Sequence, residues 1–338
     1  MTLNEEISSF LKNNGFACQS DNTAGFCSIK VTCPSGAERH VLPVCINATT
    51  IEEAEEQRKR TSDIPDSADR PIVITEDLWR RLPEMMRRRL LAHLEVFHSI
   101  YARNCEIRRI EKAEAAAFLE ANHSYGDASC RYRYGMFLKR YTGHTLHNTS
   151  GKDSTKGIST PSDWDSYANV ICRQPENGMP ATGTLVAVAE FSNARKWLKG
   201  DKEIRSYEWT RYASLAGVRI CGGMGRMLNH FISQVHPDDI MSYADLEWSD
   251  GSVYRQLGFI QETGKGPVTF RIDPSTWERR PVTNSRTAIL PTPQPAAYNA
   301  RPDAGCTPTE SAGKSEGNAP LYFQNFGSLK YRLKLTGW

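Results

Sequence analysis

The residues of this chain best able to do chemistry lie between positions 206 and 259. Val218-Arg219-Ile220-Cys221 reads as a strand end. Gly222-Gly223-Met224-Gly225-Arg226 reads as a glycine-rich turn, and Met227 to Val235 as a helix. A strand, such a turn and a helix amino terminus form a cradle for an anion: glycines let the backbone approach closely, and the free N–H groups of the first helical turn face the ligand. The same glycines equally suit tight strand–helix packing. Just upstream, Ser206 to Tyr212 reads as a strand. Its alternation puts Tyr207, Trp209 and Arg211 on one face and Ser206, Glu208, Thr210 and Tyr212 on the other. The planar fork of Arg211 fits a phosphate or carboxylate ligand, or a surface salt bridge. Asp245 follows the strand Asp239 to Tyr243 and suits a helix cap. In the next loop Ser249 can cap a helix, and Trp248 can stack on a base or cover the core. His123 and Tyr125 sit in a break after a helix, where side chains can meet a substrate, although a lone histidine is more often structural.

These residues need a frame. Ile107 to Ile110, Tyr132 to Leu138 and Thr184 to Phe191 read as strands, and Lys112 to Ala121 as a helix with Ala115, Phe118 and Leu119 inward. The polar stretch Thr142 to Thr182 is a long loop or insertion. Residues 274–318 are rich in Pro, Thr, Ser, Ala and Gly, with too few large apolar side chains to offset the entropy of ordering, and are expected to be a disordered insertion. Leu329 to Leu333 alternates like a strand that returns to complete the preceding sheet.

Residues 1–100 read as a small α+β unit. Glu5 to Asn13, Ile51 to Arg60 and Glu84 to Ile100 are helical in pattern; Phe26 to Val31, His40 to Ile46 and Pro71 to Thr75 are strand-like. This order suits a nuclease-like core, but the acidic residue and E-x-K trio that would hold a metal ion are missing. A decayed nuclease or a docking module fits better than an active one.

At 338 residues the chain has room for two or three domains. A net charge of +3 does not by itself argue for nucleic acid. Arg80, Arg81, Arg87, Arg88 and Arg89, followed by Arg103, Arg108, Arg109 and Lys112, suit either phosphates or a solvated face paired with Glu84 and Glu95. The nine cysteines show no C-x-x-C spacing, so no metal is expected and reduced thiols in a cytoplasmic protein are. The first residues lack a signal-peptide pattern, and no apolar run approaches the roughly 20 residues that cross a bilayer.

Arg219-Ile220-Cys221-Gly222-Gly223-Met224 resembles the pyrophosphate loop R-x-x-G-x-G/A of the GNAT N-acyltransferases, with Met224 in place of the last Gly or Ala and Gly225 after it. Tyr254-Arg255-Gln256-Leu257-Gly258-Phe259 is similar to that family's Y-x-x-L-G-F ending. Asn122-His123, Tyr207-Glu208 with Arg211, Gly222-Gly223, Ser242 to Asp245, Trp248-Ser249, Gly251 and Gly327 to Tyr331 together resemble a phage-associated GNAT-like group. Members of that group form tails on homing-endonuclease-like proteins, and the Mom DNA-modification proteins are similar in the same strands. The resemblance covers about residues 101–273 and 321–333. It implies acetyl-CoA or another acyl-CoA as co-substrate, with its pyrophosphate on the backbone of Cys221 to Arg226. It also implies Glu208 as a base toward the incoming amine, Asp245 in the active site, and Tyr254 as the acid that reprotonates the thiolate. Against these stand an ion pair of Glu208 with Arg211 or Arg205 and a packing role for Tyr254. Cys221 is not the expected nucleophile, since GNAT chemistry usually runs by direct attack on the thioester.

The expected fold class is therefore α+β: a GNAT-like mixed β-sheet flanked by helices over 101–273, a small unit over 1–100, the insertion at 274–318, and a returning strand within 319–338. The expected activity is acyl transfer from acyl-CoA to an amine, with an exocyclic amine of a DNA base as one acceptor. The alternative is a non-catalytic DNA-binding accessory protein that presents Arg211, Trp248 and His123.

Overall fold

The computed structural model describes residues 1–21, 27–62, 71–140, 178–282 and 319–337; most of the expected loop at Thr142 to Thr182 and of the insertion at 274–318 lies outside them. The fold is mixed α+β. Helix α1 (Leu3–Asn13) starts with a capping box, in which the Thr2 hydroxyl accepts from the Glu5 N–H and the Glu5 carboxylate from the Thr2 N–H. Its Leu3, Ile7 and Leu11 are buried in one cluster with a four-stranded sheet. That sheet runs in the order β1 (Cys18–Asp21), β2 (Ser28–Thr32), β3 (Glu38–Val44), β4 (Ile72–Thr75). Helix α2 (Ile51–Ser62) connects β3 to β4, and α3 (Glu76–Arg81) and α4 (Pro83–His93) follow β4.

The helix expected over Glu84 to Ile100 ends early. Glu95 takes a φ of 68°, and the Val96 N–H turns back to the Leu91 carbonyl at 2.9 Å. His98–Tyr101 becomes β5, paired in parallel with β11 (Val218–Cys221). A strand partner far along the chain overrides the local periodicity. The neighbouring arginines are partly paired: Arg80 with Glu6 at 2.6 Å and Arg87 with Glu84 at 3.2 Å.

The large sheet contains β6 (Cys105–Arg109), β7 (Tyr132–Leu138), β8 (Leu185–Phe191), β10 (Lys202–Ser214), β12 (Asp239–Asp245), β13 (Ile260–Lys265) and β17 (Ser328–Lys334), with β9 (Arg195–Lys199) also on β10. The order is β13-β17-β12-β10-β8-β7-β6. Neighbours are antiparallel except β10 and β12, which are parallel. Helix α5 (Lys112–Asn122) buries Ala115, Phe118 and Leu119 with Val188 and Ala213. Helix α6 (Gly223–Val235) buries Met227, Leu228 and Phe231 with Phe191, Tyr207 and Trp209. Strand β8 is thus apolar at nearly every position because both faces are covered. The short α7 (Ser252–Gln256) precedes β13.

Residues 274–282 belong to the stretch expected to be disordered, yet they form an ordered turn and β15 (Arg279–Pro281). With β14 (Thr269–Ile272) and β16 (Leu321–Gln324) they make a three-stranded sheet. Its Ile272 and Phe323 share a core with Leu42, Val44 and Val73 of β3 and β4. The ordering is paid back by Arg279, whose guanidinium lies between two buried carboxylates, Asp77 and Glu247. Among the described residues no helix is long and apolar enough to cross a membrane, and the cysteines are all unbridged.

Candidate functional site

Strands β10 and β12 pair over only three residues, Ser206–Glu208 against Asp239–Met241. Beyond them β10 carries a bulge between Trp209 and Arg211 on its β8 side, and a bulge bends and twists its strand. The two strands separate there. The Trp209 carbonyl is met by the Ser242 hydroxyl at 2.9 Å instead of a β12 amide. The Tyr254 hydroxyl lies 2.8 Å from Ser242 Oγ. The Tyr254 ring is fixed by stacking on Tyr331 and by edge contacts with Trp209 and Phe259. Burial raises its phenol pKa, so the hydroxyl keeps its proton.

The bulge also changes the faces of β10. Trp209 is opposite Phe191 and Arg211 is opposite Glu190, which leaves Thr210 as the extra residue. Tyr207, Trp209 and Tyr212 consequently belong to the α6 side, where Tyr212 meets Trp209 edge-on. Arg211 does not share the face of Tyr207 and Trp209, as strict alternation predicts; it is opposite Glu190 and reaches the loop after α5.

Away from α6, Glu208 is beside Met241 at the closed end of the split, near Tyr243, whose pKa is raised by burial and by Glu208. Arg205 bonds to Asp238 and the His236 carbonyl, and Arg211 to the Gly126 and Thr210 carbonyls. Neither arginine forms the expected ion pair with Glu208. Asp245 shares the Met241 side of β12 but is four residues further on, about 13 Å along the strand. It is the last strand residue, not a helix cap. Its carboxylate accepts from the Tyr125 hydroxyl and, at 2.9 Å, from the Glu247 N–H. Tyr125 is 48% exposed, and its ring centre is 5.9 Å from the Arg211 guanidinium. His123 Nδ1 accepts from the Tyr125 N–H at 3.1 Å. Burial and then Arg211 pull its pKa down to about 3, which leaves a neutral ring. His123, Tyr125, Arg211 and Asp245 therefore meet at the open end of the split.

The glycine-rich segment is the first turn of α6 rather than a loop before it. Gly222 is the N-cap with a φ of 75° and no side-chain cap. A Cβ at Gly223 would come within 2.5 Å of the Tyr212 hydroxyl, and one at Gly225 within 3.2 Å of Leu257, so these two glycines serve packing. A Cβ at Gly222 meets nothing closer than Ala102 at 4.0 Å. Met224 is partly buried against the core and does not line the cavity at the helix end. The helix end opens on a cavity of about 490 Å³ lined by Tyr101, Ala102, Arg103, Cys221, Gly222 and Arg226. Arg226 also borders a second cavity of about 420 Å³ along α6, with Lys139 and His230.

Four expected site residues do other work. Arg219 is exposed and lies over Phe97, away from both cavities. Tyr207 is a core residue, edge-on to Tyr132 and Phe231. Trp248 packs against the amino-terminal core under Arg89, whose guanidinium is 4.1 Å from its ring. Ser249 accepts from the Gly251 N–H within its own turn. Other residues matter that were not among the expected site residues. Arg103 lines the cradle, and Ser242 spans the split. Glu190 anchors the loop 123–128: it accepts from the Ala128 N–H at 3.3 Å and from Arg133 at 3.0 Å. Burial, with the Asp127 carboxyl beside it, raises the Glu190 pKa to about 7. A single carboxyl inside the apolar run Leu185–Phe191 is a readable sign of such an anchor.

No known family model matches this chain, and no curated protein matches it.

Proposed function

We propose that the chain is an acyl-CoA-dependent N-acyltransferase of the GNAT type. The observation that carries this reading is the split between β10 and β12. It has a proton-holding hydroxyl at its closed end on the α6 side and a carboxylate at the same level on the other side. A cationic cradle at the head of α6 accompanies it. The pyrophosphate of an acyl-CoA would lie against the backbone of Gly222 to Arg226, with Arg103 and Arg226 beside it. The cavity along α6 gives room for the rest of an extended ligand.

The acceptor amine would approach from the opposite face, between Glu208 and the group Arg211, Tyr125 and His123. Its nitrogen attacks the thioester carbonyl; a C–N bond forms and the C–S bond breaks. Glu208 takes the amine proton, directly or through water, and Tyr254 gives its proton to the leaving thiolate. Holding thioester and amine together supplies much of the rate. Glu208 fits the base better than Asp245, which is already engaged by Tyr125 and Glu247. An exocyclic amine of a DNA base is the acceptor to test first, on the resemblance to Mom-like proteins. The non-catalytic DNA-binding reading is weaker, since Trp248 is tucked under Arg89.

The test is calorimetric titration with acetyl-CoA of the wild type, Gly222→Glu and Gly222→Ala. Both variants carry the same backbone strain, and only the glutamate adds a charge. Saturable binding that survives alanine and is lost with glutamate supports the cradle. No binding of acetyl-CoA or CoA to the wild type overturns the acyl-CoA reading.

A further inference from the structure

Asp245 and Tyr125 are held by a chain of contacts that begins in the amino-terminal unit. Arg279 of β15 donates Nε and Nη2 to the Asp77 carboxylate, the latter at 3.0 Å, and Nη2 to the Thr75 hydroxyl at 3.1 Å. Nη1 donates to Glu247 Oε2 at 2.7 Å, and Nη2 to Glu247 Oε1 at 3.1 Å. Glu247 is 4% exposed and Asp77 is fully buried, so both carboxylates depend on this one guanidinium. The Glu247 N–H fixes Asp245 Oδ1, and Asp245 Oδ2 accepts from Tyr125. Arg89 adds a second tie, donating to the Glu247 carbonyl at 2.8 Å and the Val73 carbonyl at 3.1 Å.

We propose that Arg279 is a positioning residue: braced on Asp77 of the amino-terminal unit, it sets Glu247 and Asp245 and through them holds the Tyr125 ring at the acceptor side of the split. This rests on the acyl-transfer reading only for the use made of Tyr125; the mechanical link stands apart from it. The amino-terminal unit thereby becomes part of the site's support. The bidentate geometry on two sides is one that a guanidinium provides and a lysine ammonium does not.

The test uses the full chain labelled with 13Cζ-tyrosine, with the Tyr125 resonance assigned through Tyr125→Phe. Asp245→Asn gives the position of that resonance without its carboxylate partner. In Asp77→Asn and in Arg279→Lys the resonance is expected to move at least half of the way to that position, while the other tyrosines stay in place. A Tyr125 resonance unchanged in the folded variants overturns the proposal. If Arg279→Lys fails to fold, Asp77→Asn alone decides. Titration of the same samples with acetyl-CoA keeps the two ideas apart. Failure of the wild type to bind removes the acyl-CoA reading and leaves the Tyr125 measurement valid.

Discussion

The Ser242 hydroxyl donates to the Trp209 carbonyl across the gap between two strands that have just stopped pairing. That hydroxyl is also the hydrogen-bond partner of Tyr254. Ser242→Ala removes both contacts and leaves a buried carbonyl unpaired. It is expected to cost about 1–3 kcal/mol of stability and, under the proposed acyl-transfer reading, to slow that reaction with acetyl-CoA affinity retained. Urea unfolding, calorimetric titration with acetyl-CoA and the rate of CoA release check the three parts; unchanged stability would mean that water replaces the serine.

Tyr254→Phe keeps the stack on Tyr331 and deletes only the hydroxyl. If Tyr254 protonates the thiolate, kcat for CoA release falls about 100-fold or more while acetyl-CoA Kd stays the same. An unchanged kcat assigns Tyr254 to packing alone.

Glu190 gives a pH signature. Its folded pKa of about 7 stands above the ordinary 4.5, so between these values the folded chain binds more protons than the unfolded one. Its contribution is fully present below the ordinary value, declines as pH rises, and is lost above about 7. The span is on the order of 3 kcal/mol. Glu190→Gln should flatten this part of the curve, read as the difference in urea midpoint between wild type and variant at acidic and alkaline pH. Parallel curves would remove Glu190 as the titrating group.

Substitution by alanine should cost stability at both Gly222 and Gly223, for different reasons. At Gly223 the added carbon collides with the Tyr212 hydroxyl and Ile220, so a loss of about 1–3 kcal/mol is expected. At Gly222 there is space but a φ of 75°, so the loss should be near 1–2 kcal/mol. Thermal unfolding of both variants measures the two losses.

Arg279→Met removes the cation between two buried carboxylates and should cost about 3–5 kcal/mol, visible as a large drop in the urea midpoint. A drop of less than 1 kcal/mol would show that the pair protonates instead.

How far the sequence could be read depended on whether the cause was local. The strand-to-helix join near Gly222 and the Tyr254 segment were legible because glycine and helix periodicity act over a few residues, although the helix begins at Gly223 and not at Met227. The charge fork at Arg279 was not, since Asp77 and Glu247 meet it from distant parts of the chain and a Pro/Thr-rich stretch gives no sign of them. The bulge at Thr210 had no residue signature either, so alternation put Arg211 on the wrong face. Residues 94–101 went astray for the same reason: the partner that makes His98–Tyr101 a strand is β11, beyond any sequence window.

The placement of β17 carries a consequence for the order of assembly. Asp239 to Asp245 pair along their whole length with Ser328 to Lys334, whereas their other neighbour, β10, holds only three of them. During synthesis β12 therefore waits, with one edge unfilled, until residue 334 has emerged. The strand that bears Ser242 and Asp245 gains its full support only then. A chain ending after Gln324 would leave that edge bare and inclined to pair with another molecule, so the site and protection against aggregation are completed by the same late event.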